Sequence, residues 1–190
     1  PYTVLIRRGD TQNAADNIAV VADILDYGTE RQGPTGRIVE ILGDPKSATV
    51  QIRMAMLRFG LQETFPAEVL TEAAALGAVT DLGDRLDLRA VAHVTIDSET
   101  ARDFDDAVCV ERTEAGYTLY VSIADVSHYV PVGSAIDREA YHRGTSTYLP
   151  DRVLPMLPER LSNDLCSLVP DQDRAAFTAI LSYDACLLST

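Results

Sequence analysis

Apolar positions in the first 58 residues come in short runs broken by Gly, Pro and Asp. Residues 2–6, 18–25, 36–43 and 48–54 each form such a run. The second is closed by Tyr27-Gly28, the third is bracketed by Gly36 and Gly43, and the fourth alternates apolar and polar. Runs of this length and punctuation predict β-strands, and four at this spacing predict a small barrel or sandwich. Residues 7–17 and 29–34 are polar and predict loops. The pattern then changes. Pro66 opens a run of good helix formers, residues 67–76, and Gly77 follows it, the asymmetry expected of a helix. Residues 81–88 form an acidic, Gly-containing loop. Residues 91–96 predict a strand that runs straight into Asp97. Residues 107–111 and 118–124 predict paired strands around a turn near Gly116.

Ser134 followed by Asp137 resembles a capping arrangement for a helix ending at Gly144. Pro150, Pro155 and Pro158 mark a rigid extended segment. Residues 175–183 alternate again like a strand. There is no internal repeat and no low-complexity tract. The expected fold class is mixed α/β: a small β-barrel over 1–65, a helical connector over 66–90, and an α+β unit over 91–190.

Composition narrows the class without changing this picture. The 190 residues are 46% hydrophobic and 24% charged, which is ordinary globular usage. No apolar run approaches the ~18–20 residues of a membrane span, so no membrane partner is expected. The sequence opens at Pro1 without a basic and apolar leader, so a signal peptide is expected to be absent or already removed. Cys109, Cys166 and Cys186 are odd in number and lack CxxC spacing. They predict neither a disulfide framework nor a zinc site, and free thiols fit a reducing cytoplasm. The formal charge of −13 argues against a basic nucleic-acid-binding coat. That charge is unevenly spread: residues 1–67 carry 8 acids and 7 bases, residues 68–190 carry 21 acids and 9 bases. Of the 16 bases 15 are Arg, which suits bidentate phosphate contacts, though codon bias from a GC-rich genome is the simpler reading.

Five acids, Asp97, Glu99, Asp103, Asp105 and Asp106, fall within ten residues. Carboxylates packed this closely raise one another's pKa unless a cation lies between them. Hard oxygen donors on a loop suit Mg²⁺, with Mn²⁺ as an alternative. An EF-hand is excluded, because Ala101 and Arg102 occupy its fifth and sixth positions. A solvated acidic loop is the competing reading. The apolar flanks and Phe104 in its midst count against it.

These residues resemble a known family. Thr95-Ile96-Asp97 followed by Asp103-Phe104-Asp105-Asp106-Ala107 is similar to the metal-binding signature of the ribonuclease II / ribonuclease R (RNB) exoribonucleases. Four further blocks agree in order, at residues 123–130, 143–150, 154–158 and 161–168. Residues 36–43 resemble the second cold-shock (OB-type) domain of the same enzymes. The resemblance implies an OB-like barrel followed by the N-terminal part of an RNB catalytic domain. It also implies processive hydrolysis of single-stranded RNA from its 3′ end to nucleoside 5′-monophosphates. Carried over by motif position, Asp97, Asp103, Asp105 and Asp106 would hold one or two Mg²⁺ ions. Asp103 and Asp105 would be catalytic, Asp105 the more rate-critical. A second ion would steady the leaving 3′ oxygen.

Tyr148 matches the family's aromatic that stacks on the 3′-terminal base, and Arg143 is a candidate for an RNA phosphate. For Arg143 a role at the helix C-terminus stands beside that reading. His128 and His142 are expected to be structural or surface residues. The family's catalytic domain continues further and ends in an S1 domain, so the chain is expected to be a piece of a longer enzyme, inactive alone. Two alternatives belong to other classes. One is a non-catalytic RNA-binding relative that keeps the fold. The other is a phosphatase or endonuclease with a convergent Asp cluster.

Overall fold

In the computed structural model, which describes residues 3–29 and 32–184, the chain divides into two units, Pro1–Gln62 and Glu63–Thr190. Tyr2, Glu30, Arg31 and Cys186 lie outside the described residues. The first unit is built on β1 (Leu5–Ile6), β2 (Ala19–Asp26) and β3 (Thr35–Gly43), in the order β1-β3-β2. β3 is central, parallel to β1 and antiparallel to β2. Gly36 is required where β3 crosses β2, since a Cβ there would sit 2.4 Å from the Asp23 carbonyl oxygen. Three β-strands are therefore what the described part of the barrel region contains.

The fourth strand expected there is a helix. Residues 48–54 belong to α1 (Ala48–Phe59), not to a strand. Over seven residues, Val50, Ile52 and Met54 imitate a two-residue period. Over twelve, the buried side chains are Val50 and Met56 with Arg53 half-buried between them, a spacing of three that belongs to a helix. Gly60, at φ 66°, closes α1 in the left-handed conformation that glycine adopts at no steric cost.

The second unit begins with α2 (Ala67–Ala75), Pro66 at its entry. The stretch read as a connector is part of this unit's core. Val69 and Ala73 of α2 pack with Ala124, Tyr129, Ile136, Leu161, Leu165 and Cys166. The sheet comprises β4 (Asp106–Arg112), β5 (Gly116–Ala124) and β8 (Ala176–Asp184), all antiparallel in the order β4-β5-β8. Between β5 and β8 the chain forms α3 (Val126–Tyr129), α4 (Ala135–Arg143), a two-strand hairpin of β6 (Thr147–Tyr148) and β7 (Val153–Leu154), and a π-helical turn at Leu161–Leu165.

α4 is capped as its sequence predicts. The Ser134 hydroxyl accepts from Asp137 N–H, and the Asp137 carboxylate accepts from Gly133 N–H. The strand expected over 91–96 does not form. Its pairing is a single bridge, Val94 to Val108 at the edge of β4, with both hydrogen bonds 2.9 Å long. The neighbouring amides turn to local carbonyls instead, Val91 N–H to Leu88 and His93 N–H to Val91, so no ladder continues from the bridge. Among the described residues no helix is long and apolar enough to cross a membrane.

Candidate active site

The acidic loop lies between the Val94 bridge and the first residue of β4, at one end of the second sheet. Asp106 opens β4 opposite Ile123, and Ala124 N–H donates to the Asp105 carbonyl at 2.9 Å. The backbone just before is tied as closely. Phe104 N–H donates to Ser167 Oγ at 3.0 Å, its carbonyl accepts from Leu168 N–H at 2.9 Å, and Ser167 Oγ donates to the Arg102 carbonyl at 2.8 Å. Asp103 and Asp105 thus flank a residue held through both of its backbone groups. Phe104, whose place in the loop counts against a fully solvated reading, is half-buried.

Electrostatics single out Asp105. Its carboxyl is pushed above the usual carboxylate range by partial withdrawal from water, then by the negative charges of Asp103, Asp106 and Asp97. The residue as a whole remains exposed, so the burial effect comes from protein mass on one side of the carboxylate. Three of the four motif aspartates therefore act on the fourth. Their donor chemistry fits a hard divalent cation, and so does the charge they accumulate. The four do not yet form an enclosing cage. Among the described residues, no three Asp, Glu, His or Cys side chains stand close enough together to hold an ion. The cluster is open on its solvent side, where Mg²⁺ would rely on waters and substrate oxygens.

A raised native pKa has a definite sign for stability. Asp105 favours the folded chain at low pH, and that contribution is lost as pH rises through its native pKa. Replacement by Asn, without divalent metal, is expected to raise the melting temperature at pH 7 by about 1–2 °C, allowing for solvent screening. The gain should vanish at pH 3. Melting curves at the two pH values in EDTA check this.

Asp125, one residue beyond β5, has the opposite surroundings. Its carboxylate accepts from Ser127 Oγ at 2.6 Å, pairs with Arg85 at 2.7 Å and caps α3 through His128 N–H. The Ser127 hydroxyl first, then Arg85, hold its pKa below the ordinary range. This acid is paired with a cation, whereas among the described residues none of the loop aspartates is. Nearby Cys166 is buried, and its thiol is pushed up to about 11 by burial and by the charges of Asp105 and Asp125. It stays protonated and is no nucleophile at neutral pH.

The other candidates fall elsewhere. Tyr148 lies on β6 opposite Val153, with 70% of its surface exposed. Arg143 is not available to an RNA phosphate. Its side chain is only 6% exposed and forms an ion pair with Glu139 at 2.8 Å. It also donates to the carbonyls of Pro155 and Thr64 and lies 3.8 Å from the Phe65 ring centroid. Guanidinium donors spent on these internal partners are what correct the sequence reading. His128 packs edge-on against Tyr129, and His142 is exposed at the end of α4. The residue that sequence reasoning passed over is Ser167. It lies within the block at 161–168, but a lone serine there carries no chemical signal of its own.

Comparison with known proteins places these features in context. A family model described as the RNB domain matches residues 85–187, and one described as a cold shock domain matches residues 1–66. Ribonuclease R of Thermotoga maritima is 44% identical over 189 residues, covering 96% of this chain and 27% of that protein. Ribonuclease R of Aquifex aeolicus is 41% identical over 187 residues, with 96% and 26% covered. The chain thus spans about a quarter of the length of these relatives. The structure of Mycoplasma genitalium RNase R in complex with double-stranded RNA superposes with a TM-score of 0.86 at 35% identity, covering 97% of this chain and 34% of that one. Yeast Ssd1, a pseudonuclease, shares the fold at a TM-score of 0.63 and 18% identity.

Proposed function

Because the chain belongs to the RNB-domain family, we propose that it supplies the cold-shock region and the N-terminal catalytic part of a cytoplasmic 3′→5′ exoribonuclease of the ribonuclease II / ribonuclease R kind. The substrate is single-stranded RNA entered from its 3′ end, and the products are nucleoside 5′-monophosphates. The activity is assigned to the longer protein and not to these 190 residues alone. The observation that carries the reading is the loop anchored on both sides by backbone hydrogen bonds, which sets Asp103, Asp105 and Asp106 at one end of the sheet; the raised Asp105 carboxyl agrees with it. Asp97, Asp103, Asp105 and Asp106 are the residues that would hold Mg²⁺ or Mn²⁺. When bound, such an ion supplies Lewis-acid activation of water and charge stabilisation at the phosphodiester. The loop's part is to keep four uncompensated carboxylates at one sheet end, at the cost in repulsion that Asp105 registers. The buried free thiols of Cys109 and Cys166 are compatible with a reducing compartment.

A yeast pseudonuclease with this fold makes binding without cleavage the natural second reading. All four motif aspartates are present here, which favours the enzyme. The test is a time course of the full-length protein on a 5′-labelled poly(A) strand. Shortening from the 3′ end to a limit product, stopped by EDTA, is expected. Discrete internal fragments would indicate an endonuclease, and retention without shortening would indicate the binding protein.

Tyr148 takes part as a stacking surface for the terminal base. Its exposure suits that role, and base stacking is worth ~1–3 kcal/mol while tolerating any sequence. Tyr148→Ala is expected to leave hydrolysis working while changing the length of the limit product in the same gels. An unchanged limit product would remove Tyr148 from the site.

A further inference from the structure

We infer that Ser167 is a positioning residue for the carboxylate loop, setting the backbone from which Asp103 and Asp105 project; this rests on the metal-dependent reading above. Ser167 is 1% exposed, and its hydroxyl is used in both directions at once. It accepts from Phe104 N–H and donates to the Arg102 carbonyl. With the Leu168 N–H to Phe104 carbonyl bond and the Ala124 N–H to Asp105 carbonyl bond, four backbone groups on Arg102, Phe104 and Asp105 are tied down. The anchor is itself held. The Ser167 carbonyl accepts from Arg174 Nε at 2.9 Å, and its N–H donates to the Asp164 carbonyl at 3.2 Å.

Such a clamp answers a specific difficulty. Four aspartates without an internal cation repel one another, and a backbone free to relax would let them spread. A cation site needs its donors on a backbone that does not drift, and the clamp fixes the backbone from which Asp103 and Asp105 project. A serine suits the position because a small hydroxyl can accept and donate simultaneously, which alanine cannot do.

The test uses the full-length protein and two readouts besides activity: amide hydrogen exchange across residues 98–106, and Mn²⁺ affinity by electron paramagnetic resonance titration. Ser167→Ala removes two buried hydrogen bonds and is expected to speed exchange at Phe104 by about tenfold or more and to weaken Mn²⁺ binding by a similar factor, about tenfold being the scale of one such bond. The KM for RNA should stay within about twofold, while the rate falls at low metal and recovers as metal is raised. Ile136→Val, in the hydrophobic core and on α4, not on the loop, is the control. It should lower the melting temperature without moving loop exchange or Mn²⁺ affinity. Ser167→Cys keeps the volume and a weak donor, is expected to fall between, and serves if the alanine variant does not fold. Wild-type exchange and Mn²⁺ affinity in a folded Ser167 variant would overturn the inference alone. Equal Mn²⁺ binding by the unsubstituted protein and Asp105→Asn would instead overturn the metal reading, while faster loop exchange in Ser167→Ala would still establish the clamp.

Discussion

Asp105→Asn in the full-length protein is expected to abolish RNA hydrolysis, by roughly a thousandfold or more, while RNA affinity changes less than about threefold. Replacing even a hydrogen-bond partner of a metal ligand costs about 10- to 100-fold, and a ligand itself costs more. The amide keeps the size and much of the hydrogen bonding of the carboxylate. What it removes is the charge that a hard cation requires. Affinity is expected to persist, since phosphate contacts and base stacking on the cold-shock and S1 surfaces of the longer protein would carry most of it. The measurement pairs a poly(A) time course with a filter-binding titration. The same substitution should slightly raise the metal-free melting temperature at pH 7, so lost activity cannot be put down to unfolding. Near-normal release of mononucleotides by the Asn variant would remove Asp105 from the chemistry.

Arg143→Ala is expected to act on stability and not on RNA contact. The Arg143–Glu139 pair is largely withdrawn from water, with side chains 6% and 13% exposed. Removing one member leaves Glu139 without its cation and two carbonyls without a donor, a loss of about 3–5 kcal/mol. The Phe65 ring loses a cation on its face as well. Denaturant unfolding measures the loss. The salt dependence of RNA binding, determined where the variant is still folded, should be unchanged, because no phosphate contact has been removed. Arg143→Lys should recover only part of the stability, since an ammonium cannot reproduce the planar donor set. A variant of normal stability with a shallower salt slope would return Arg143 to the RNA-binding surface.

These two residues also mark how far the sequence reached. Asp97, Asp103, Asp105 and Asp106 stood out in the sequence because five carboxylates crowd into ten residues, and the set of four was named by its resemblance to the RNB signature. The chemistry belongs to the residue type. The helices over residues 67–75 and 135–143 were legible for a similar reason. Proline, serine and glycine at helix ends act within four residues, and nothing distant competes with them. Residues 48–54 failed on window length, since a seven-residue alternation fits either period until Met56 and Gly60 extend it. Residues 91–96 failed because strand formation depends on a partner edge, and sequence does not count edges.

Arg143 and Ser167 depended on tertiary structure entirely. An arginine at a helix C-terminus reads the same whether its guanidinium faces solvent or turns inward. Glu139 four residues before it was visible, but the Phe65 ring, Thr64 and Pro155 come from elsewhere in the chain. Ser167 gains its place by lying 63 residues from Phe104 in sequence and one hydrogen bond away in space. The sequence by itself determined which groups can hold charge and where local elements start and stop, because those properties act over a few residues. Which donors are spent internally, which charges go uncompensated, and what holds the acidic loop in place were decided only when packing brought distant backbone together, since hydrogen bonds and Coulomb interactions depend on distance in space and not along the chain.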